Sequence, residues 1–149
     1  MRTLTLEQLS KHRACRSQVA LFKKHFGESV VVTEELAASL SDIFDFGWAS
    51  RTLLSGASQT EYSKVVTSAS DKYIVECVAA CTEFKKVCAS AGVEYVRLEG
   101  SVWAEPRAEF EEVCAPAQAE YTKACEGAWA EFDKVRAATF AKLYNADQT

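Results

Sequence analysis

The 149-residue sequence predicts an all-α protein, with a small N-terminal helical module followed by a long antiparallel helical hairpin. Three observations favour this class. Apolar residues in the first third recur at helical spacing, and beyond it an aromatic residue returns every eleven positions within each of two series, which are separated by a step of fifteen. Glutamates and lysines flank that repeat three residues apart, a spacing that pairs them on one helix face but separates them on a strand.

Short helices are expected in residues 1–57. Thr5 and Gln8 have the spacing of a capping box, which would begin the first helix. The second would end at Gly27, because glycine suits a left-handed C-cap. The run "SVVVT" that follows has no evident partner strand, so it is interpreted as an extended connector. The expected buried stripe of the second helix is Cys15, Val19, Phe22 and Phe26.

Two further helices complete the predicted N-terminal module. Thr33 would cap the third helix, because two glutamates follow it and favour the positive end of a helix dipole. The fourth helix is short and contains the first tryptophan of the chain. The expected buried stripe of the third helix is Leu36, Leu40, Ile43 and Phe44, and the fourth helix is expected to contain Trp48, Leu53 and Leu54.

The rest of the chain is a hendecad repeat, the pattern of a coiled coil with an eleven-residue period. Eleven residues are three turns at ~3.67 residues per turn, so the repeated position stays on one helix face. The predicted arms are residues 58–98 and 104–144, because Gly100 suits a helix end and Pro106 a helix start. One long kinked helix is the alternative, and Pro116 is expected to kink the second arm. The repeated positions are Tyr62, Tyr73, Phe84 and Tyr95, then Phe110, Tyr121 and Phe132, with Leu143 continuing the series.

Five of the six cysteines fall in the repeat. A chain reversal near residue 101 brings together positions whose numbers sum to about 202, as Cys88 and Cys114 do, and also Cys77 and Cys125. These four cysteines share one position of the repeat, which predicts small apolar residues in the contact between the arms. A metal site that uses Cys77 and Cys81 is an alternative, because they lie one helical turn apart, and a redox role is another. The interpretation as apolar contacts is preferred, so no metal and no cofactor is expected.

Charge and composition suggest a domain boundary and a compartment. Residues 1–57 carry seven basic and six acidic side chains, whereas residues 58–149 carry ten and fifteen, so the expected domains are 1–57 and 58–149. The sequence has neither a signal-peptide core nor an apolar run long enough to cross a bilayer, which predicts a cytoplasmic protein. A basic patch on the second helix could contact phosphate, although a solvated face is preferred. Its residues are Arg13, Arg16, Lys23 and Lys24.

Catalytic motifs are not found in the sequence. It has no phosphate-binding G-x-x-x-x-G-K-[ST], no zinc-binding H-E-x-x-H and no C-x-x-C. The letters "DFG" at 45–47 occur without the glycine-rich and catalytic loops of a kinase and are interpreted as chance. His12 and His25 have no ligand-spaced neighbours. We therefore expect a protein without enzymatic activity.

Three stretches carry a resemblance to a known group. They are "ACRSQVALFKKHFGESVVVTEEL", "FDFGWASRTLL" and the "EYxKV" units with spacers such as "CAPAQAEYTKA". Together they resemble uncharacterised proteins encoded by bacteriophages and related mobile elements, over nearly the whole chain. The units at 72–76 and 94–99 depart from the regular pattern. The resemblance implies a phage origin and no mechanism.

The expected function is non-enzymatic protein binding or self-association. An aromatic interaction stripe would close a homo-oligomer or bind a partner helix, and a phage origin makes a bacterial defence protein a natural target. A structural or scaffold protein is the alternative. An amphipathic lipid-surface binder is another, but the net charge of −5 in residues 58–149 opposes anionic lipid, and nucleic acid is not an expected partner. The interaction stripe consists of Tyr62, Tyr73, Phe84, Tyr95, Phe110, Tyr121, Trp129 and Phe132.

Overall fold

A computed structural model describes residues 1–99 and 106–147, with side chains for residues 1–92 and 111–147. Six helices and two short strands are present in this described part of the chain. In chain order they are β1 (Thr3–Thr5), α1 (Leu6–Lys11), α2 (Arg16–Phe26), β2 (Ser29–Val31), α3 (Glu34–Ser39), α4 (Phe46–Leu53), α5 (Gly56–Glu99) and α6 (Pro106–Ala146).

Helices α5 and α6 form the predicted antiparallel hairpin. The ring of Tyr73 lies 5.5 Å from that of Trp129, and the ring of Phe84 lies 5.9 Å from that of Tyr121, so the second arm runs back along the first. One continuous kinked helix would place these rings tens of ångströms apart, at ~1.5 Å per residue. The all-α class and the hairpin are thus confirmed. Helix α6 continues through Pro116.

Ion pairs form on the exposed sides of both arms between residues three positions apart, as predicted. The predicted pairs that form are exposed to solvent, so each contributes only ~0.2–0.5 kcal/mol to helix stability. The repeat also predicts pairs of Glu94 with Arg97 and of Glu120 with Lys123. The first lies outside the described side chains, and the second does not come within ion-pair distance in the described part of the chain. The pairs that form are Glu61 with Lys64 at 3.6 Å, Glu83 with Lys86 at 2.7 Å, and Glu131 with Lys134 at 2.7 Å.

The chain groups into two compact units. Unit 1 contains the N-terminal elements, the start of α5 as far as Ala69, and the end of α6 from Ala130. Unit 2 is the remainder of the hairpin, Ser70–Trp129. The domain boundary that composition predicts, between residues 57 and 58, stays a prediction. The start of α5 and the end of α6 therefore belong to the same compact unit as the N-terminal elements.

The interpretation of "SVVVT" as an unpaired connector is wrong. Its first three residues form β2, which pairs antiparallel with β1, and Leu4 lies opposite Val30. The partner strand is the third to fifth residue of the chain, too short to show an alternating pattern in the sequence. The pairing buries Leu4 and Val32 in the core of unit 1.

Local hydrogen bonds confirm the predicted starts of α1 and α3. Thr5 Oγ1 accepts a hydrogen bond from the backbone N–H of Gln8 at 3.2 Å, and Gln8 Oε1 accepts one from the Thr5 N–H at 3.0 Å, which completes the capping box. Thr33 Oγ1 accepts a hydrogen bond from the Leu36 N–H at 3.1 Å. Gly27 ends α2 with a positive φ of 71°, as predicted, but its ψ of −121° lies outside the left-handed helical region that was expected there.

Helix α1 ends in a Schellman motif built on an arginine. The N–H of Ala14 donates to the carbonyl of Leu9 at 2.9 Å, and the N–H of Arg13 donates to that of Ser10 at 3.1 Å. This geometry needs a left-handed residue, and Arg13 takes that place with a φ of 58°. Glycine is the usual residue there because a Cβ costs free energy at positive φ. Arg13 therefore lies in a strained turn before α2, and its predicted place on the second helix is wrong.

The core of unit 1 joins the N-terminal elements to the last turns of α6. Phe22 from α2 is 2% exposed, whereas Tyr144 and Phe140 from α6 are 1% and 2% exposed. Asn145 Nδ2 donates to the carbonyl of Val32 at 2.9 Å, which ties the end of α6 to the residue that follows β2. These contacts explain why the end of α6 belongs to unit 1.

Two expectations about the core of unit 1 need correction. Cys15 was expected in the buried stripe of α2, but it is the exposed residue that precedes the helix. Helix α3 ends at Ser39, so its buried residue is Ala37, while the predicted residues from Leu36 to Phe44 are only partly buried. Most of these residues lie outside the helices, because the helical spacing of the sequence continues beyond the helix ends: Cys15, Leu40, Ile43 and Phe44. Leu36 lies within α3 and is only partly buried.

Candidate functional site

The contact between the arms in unit 2, which we call the arm seam, contains aromatic, thiol and small side chains. On α5 its half-buried residues follow the four-three-four spacing of a hendecad, and on α6 the same spacing runs in the opposite direction. Because alanine and glycine alternate with larger residues, the helices can approach closely. The seam consists of Tyr73, Cys77, Ala80, Cys81, Phe84, Cys88, Ala91 and Gly92 on α5, and of Cys114, Ala117, Tyr121, Cys125 and Ala128 on α6.

Cysteine side chains meet across the arm seam in the two predicted pairs. In the antiparallel register of the hairpin the side chains of Cys88 and Cys114 face each other, and so do those of Cys77 and Cys125. In each pair the thiol on α5 is close enough to raise the pKa of the thiol on α6. All four are free thiols and half-buried. The pairing predicted from the sum of residue numbers is therefore confirmed, because a hairpin with one register imposes the same sum on every facing pair.

The surroundings of these thiols raise the pKa of both cysteines on α6. The hydrogen bond with Cys88, followed by partial burial and the charge of Cys88, raises the pKa of Cys114 to about 11. The hydrogen bond with Cys77 raises the pKa of Cys125, partial burial adds to it, and a hydrogen bond from Tyr121 opposes it. At neutral pH the thiols of Cys114 and Cys125 are thus protonated, which makes them poor nucleophiles while their partner thiols are unmodified.

Two phenols lie beside the Cys77 and Cys125 pair. A hydrogen bond with Cys77 raises the pKa of Tyr73, and a hydrogen bond with Cys125 raises that of Tyr121. The polar ends of both rings therefore point to the thiols. The ring of Tyr121 stacks on that of Phe84, whereas the rings of Tyr73 and Trp129 meet edge to face. The polar cluster thus lies within the half-buried aromatic contact between the arms.

Most described members of the interaction stripe lie in helix contacts within their own units. In unit 1, Tyr62 is 7% exposed and belongs to the core, and Phe132 is half-buried beneath the guanidinium of Arg136 at 5.4 Å. In unit 2, three members lie in or beside the arm seam, and Trp129 remains 48% exposed there despite its contact with Tyr73. The predicted stripe residues Tyr95 and Phe110, and also Trp103, lie outside the described side chains.

The outer side of α5 in unit 2 carries an apolar surface that sequence reasoning missed, and we call it the outer patch. Ile74, Val75 and Val78 are 51%, 66% and 59% exposed. They are neighbours on the helix surface, at i, i+3 and i, i+4 spacing. At ~100° per residue, Val75 and Val78 lie on the side of α5 away from the arm seam, and Ile74 lies at the margin of the seam. The sequence does show a run of three apolar residues, Tyr73 to Val75. The eleven-residue repeat, however, placed only Tyr73 on the apolar face of the helix.

The basic patch is exposed but is not one helix face. Arg16, Lys23 and Lys24 are solvent-exposed residues of α2, whereas Arg13 lies in the turn that precedes it. The inner side of the same helix packs Phe22 and Phe26 into the core. Arg16, Lys23 and Lys24 thus lie on the solvated side of an amphipathic helix, to which Arg13 does not belong.

An apolar cavity of about 80 Å³ lies inside unit 1, between the N-terminal helices and α6. Its walls include Leu9, Phe22, Trp48 and Phe140. At its rim Gln18 forms two hydrogen bonds, donating to the carbonyl of Ile43 at 3.3 Å and accepting from the N–H of Asp45 at 3.1 Å. The side chain of Asp45, in the "DFG" letters, accepts a hydrogen bond from the Trp48 N–H and begins α4.

No family model, curated protein or solved structure matches this chain. Over the residues that the structure describes, histidine, cysteine and carboxylate side chains do not gather in threes in a way that could hold a metal ion. In the same residues, every helix is too short or too polar to cross a bilayer.

Proposed function

We propose that the protein is a non-enzymatic binding protein, and that a partner protein covers the outer patch of α5. The observation that carries the proposal is the exposure of three adjacent β-branched side chains, Ile74, Val75 and Val78, on a helix whose other apolar face is already used by the hairpin. Contiguous apolar surface of this kind marks binding sites in soluble proteins. Removing it from water stabilises a complex by ~25 cal/mol per Å².

The partner is expected to present its own apolar ridge between polar groups. Asp71 and Lys85 lie at the two ends of the outer patch, and Thr82 lies beside it, so its borders carry both signs of charge. Such a mixed border suits a protein surface better than a nucleic acid or an anionic membrane. An amphipathic helix of the partner, laid along α5, would match the spacing of the three apolar residues.

A bacterial host protein is the partner we favour, with the host cytoplasm as the place of action. The support is the resemblance of the N-terminal block and the "EYxKV" units to phage-encoded proteins. A small phage protein that binds a host protein without catalysis is well suited to inhibit a defence system. A second copy of the chain is the other occupant of the outer patch, and a scaffold role would follow from it.

The experiment compares the outer patch with a matched residue of the other arm. Tagged chain captures a host protein, which is then purified and titrated against wild type, Val78→Ser and the control Val113→Ser. Val78 and Val113 are similarly exposed, at 59% and 50%. Losing a buried valine should cost ~1–2 kcal/mol, so Val78→Ser should weaken binding about 5- to 30-fold while Val113→Ser leaves it unchanged.

Light scattering on the purified chain at tens of micromolar distinguishes the two occupants. A dimer that Val78→Ser dissociates and Val113→Ser does not would make a second copy the partner. Equal binding by all three chains to a captured protein would refute the outer patch as the binding surface. A monomer that captures no host protein would refute the proposed function as a whole.

A further inference from the structure

The geometry of the arm seam allows bonds between the facing thiols. Each Cα lies ~2.3 Å from its helix axis, so packed helices with axes 8–10 Å apart bring directly facing Cα atoms to roughly 3.5–5.5 Å. A disulfide needs ~4.4–6.8 Å, which overlaps this range. The ring pair of Tyr73 and Trp129 and that of Phe84 and Tyr121 hold the register on both sides of the Cys77 and Cys125 pair.

We propose that the two thiol pairs, Cys88 with Cys114 and Cys77 with Cys125, are sites of thiol–disulfide exchange that close into cross-links between the arms. The reactant is a small disulfide of the glutathione class, which can reach half-buried thiols from solvent. This inference concerns unit 2 alone and does not depend on the proposed partner.

The exchange has two steps at each pair. In the first, the Cys88 thiolate attacks the small disulfide, a bond forms between Cys88 Sγ and one sulfur of the reagent, and the other sulfur leaves as a thiolate. In the second, the Cys114 thiolate attacks Cys88 Sγ and releases the remaining half as a second thiolate. The protein dithiol loses two protons and two electrons, and one small disulfide is reduced to two thiols.

The surroundings of Cys114 determine which of the two steps comes first. Its pKa is raised first by the hydrogen bond with Cys88 and also by the charge of Cys88. Once Cys88 carries the reagent, its sulfur can no longer ionise, so that hydrogen bond and that charge are gone. Only partial burial then opposes ionisation of Cys114, so the second thiol becomes reactive after the first has been modified. Closure of the ring therefore follows the first step rapidly.

Cross-links would matter because unit 2 has a thin core. Among its described side chains only Ala128 is buried, and the seam residues are half-buried. Two helices in one layer bury little surface, so the reduced arms are expected to separate more easily than the elements of unit 1. A bond between Cys88 and Cys114 encloses residues 89–113, and one between Cys77 and Cys125 encloses residues 78–124. Either bond restricts the separated state of the arms.

The test uses the full chain with Cys15→Ser, because Cys15 is exposed and would react on its own account. The chain is incubated with oxidised glutathione, and its peptides are mapped without reduction. We expect intramolecular Cys88–Cys114 and Cys77–Cys125 peptides and at least tenfold slower amide exchange in the described parts of unit 2. Cys88→Ser should lose the first link and slow exchange less. Cys81→Ser is the matched control, one turn from Cys77, and should keep both links.

Three results would overturn the proposal. One is a map that contains only links between chains. Another is a map dominated by Cys77–Cys81 peptides, which would mean that the arms do not hold their register. The third is a chain that accumulates glutathione on Cys88 and Cys114 together without forming the link. Folding of each variant is checked by its helical circular dichroism, and Cys77→Ala replaces Cys88→Ser if that chain does not fold.

Discussion

Replacing Phe140 with alanine tests the finding that the end of α6 belongs to the core of unit 1. The Phe140 side chain is 2% exposed, and its ring lies 5.7 Å from that of Phe46 and 5.4 Å from that of Tyr144. A truncated buried phenylalanine costs ~3–5 kcal/mol, from lost transfer free energy and from the cavity that remains. Each aromatic pair adds ~0.5–1.5 kcal/mol beyond buried area.

The expected loss lies in the upper half of that range. Phe140 already forms a wall of the 80 Å³ cavity, so its removal enlarges an existing space that neighbouring side chains have not filled. A site that cannot collapse around a deletion retains the full cavity cost, which is ~24 cal/mol per Å³. We therefore expect Phe140→Ala to lower the free energy of unfolding by about 4 kcal/mol.

Urea unfolding followed by circular dichroism measures this change, with Val113→Ala as the control. Val113 is 50% exposed on the same helix and should lose less than about 1 kcal/mol. If the last turns of α6 were only the end of a free arm, Phe140→Ala would behave like the control. A difference of less than about 1 kcal/mol between the two variants would refute the placement of Phe140 in the core.

Four further predictions follow from single residues. Arg13→Gly should raise the free energy of unfolding by about 0.5–1 kcal/mol in urea titrations, because glycine relieves the positive φ of 58°, and a destabilised variant would contradict the strain. Trp129→Ala should cost only about 1–2 kcal/mol in the same assay, since the ring is 48% exposed, and a loss of 4 kcal/mol or more would show that it is core. Cys15 should be alkylated by iodoacetamide before the seam thiols, as followed by mass spectrometry, because it is exposed and its hydrogen bond with Ser17 lowers its pKa, and equal rates would count against this. Hydrogen bonds from Ser55 lower the pKa of Asp147, so their contribution to stability is complete above about pH 4 and is lost as pH falls through the lowered pKa. The difference in melting temperature between wild type and Asp147→Asn should therefore vanish in acid. A difference that does not depend on pH would disprove the linkage.

Local and periodic features of this protein were determined by the sequence itself. A capping box needs only Thr5 and Gln8, because its hydrogen bonds join residues three positions apart. The eleven-residue period places one position on one helix face, so a single reversal near residue 101 was enough to pair Cys88 with Cys114. Such inferences succeed because helices are held together by contacts between near neighbours in the chain.

Contacts between distant segments were decided only by the tertiary structure. Strand β1 pairs with β2 because folding brings residues 3–5 next to residues 29–31. Neither segment is long enough to show a pattern that identifies its partner strand. Phe140 and Tyr144 lie four residues apart on a helical face that the sequence shows, but their burial depends on the N-terminal module that meets that face. The outer patch is exposed because one apolar side of α5 packs in the arm seam, while Val75 and Val78 lie on another side of the helix. A period specifies which residues share a face, whereas burial depends on which surface that face meets, and this is a property of the whole fold.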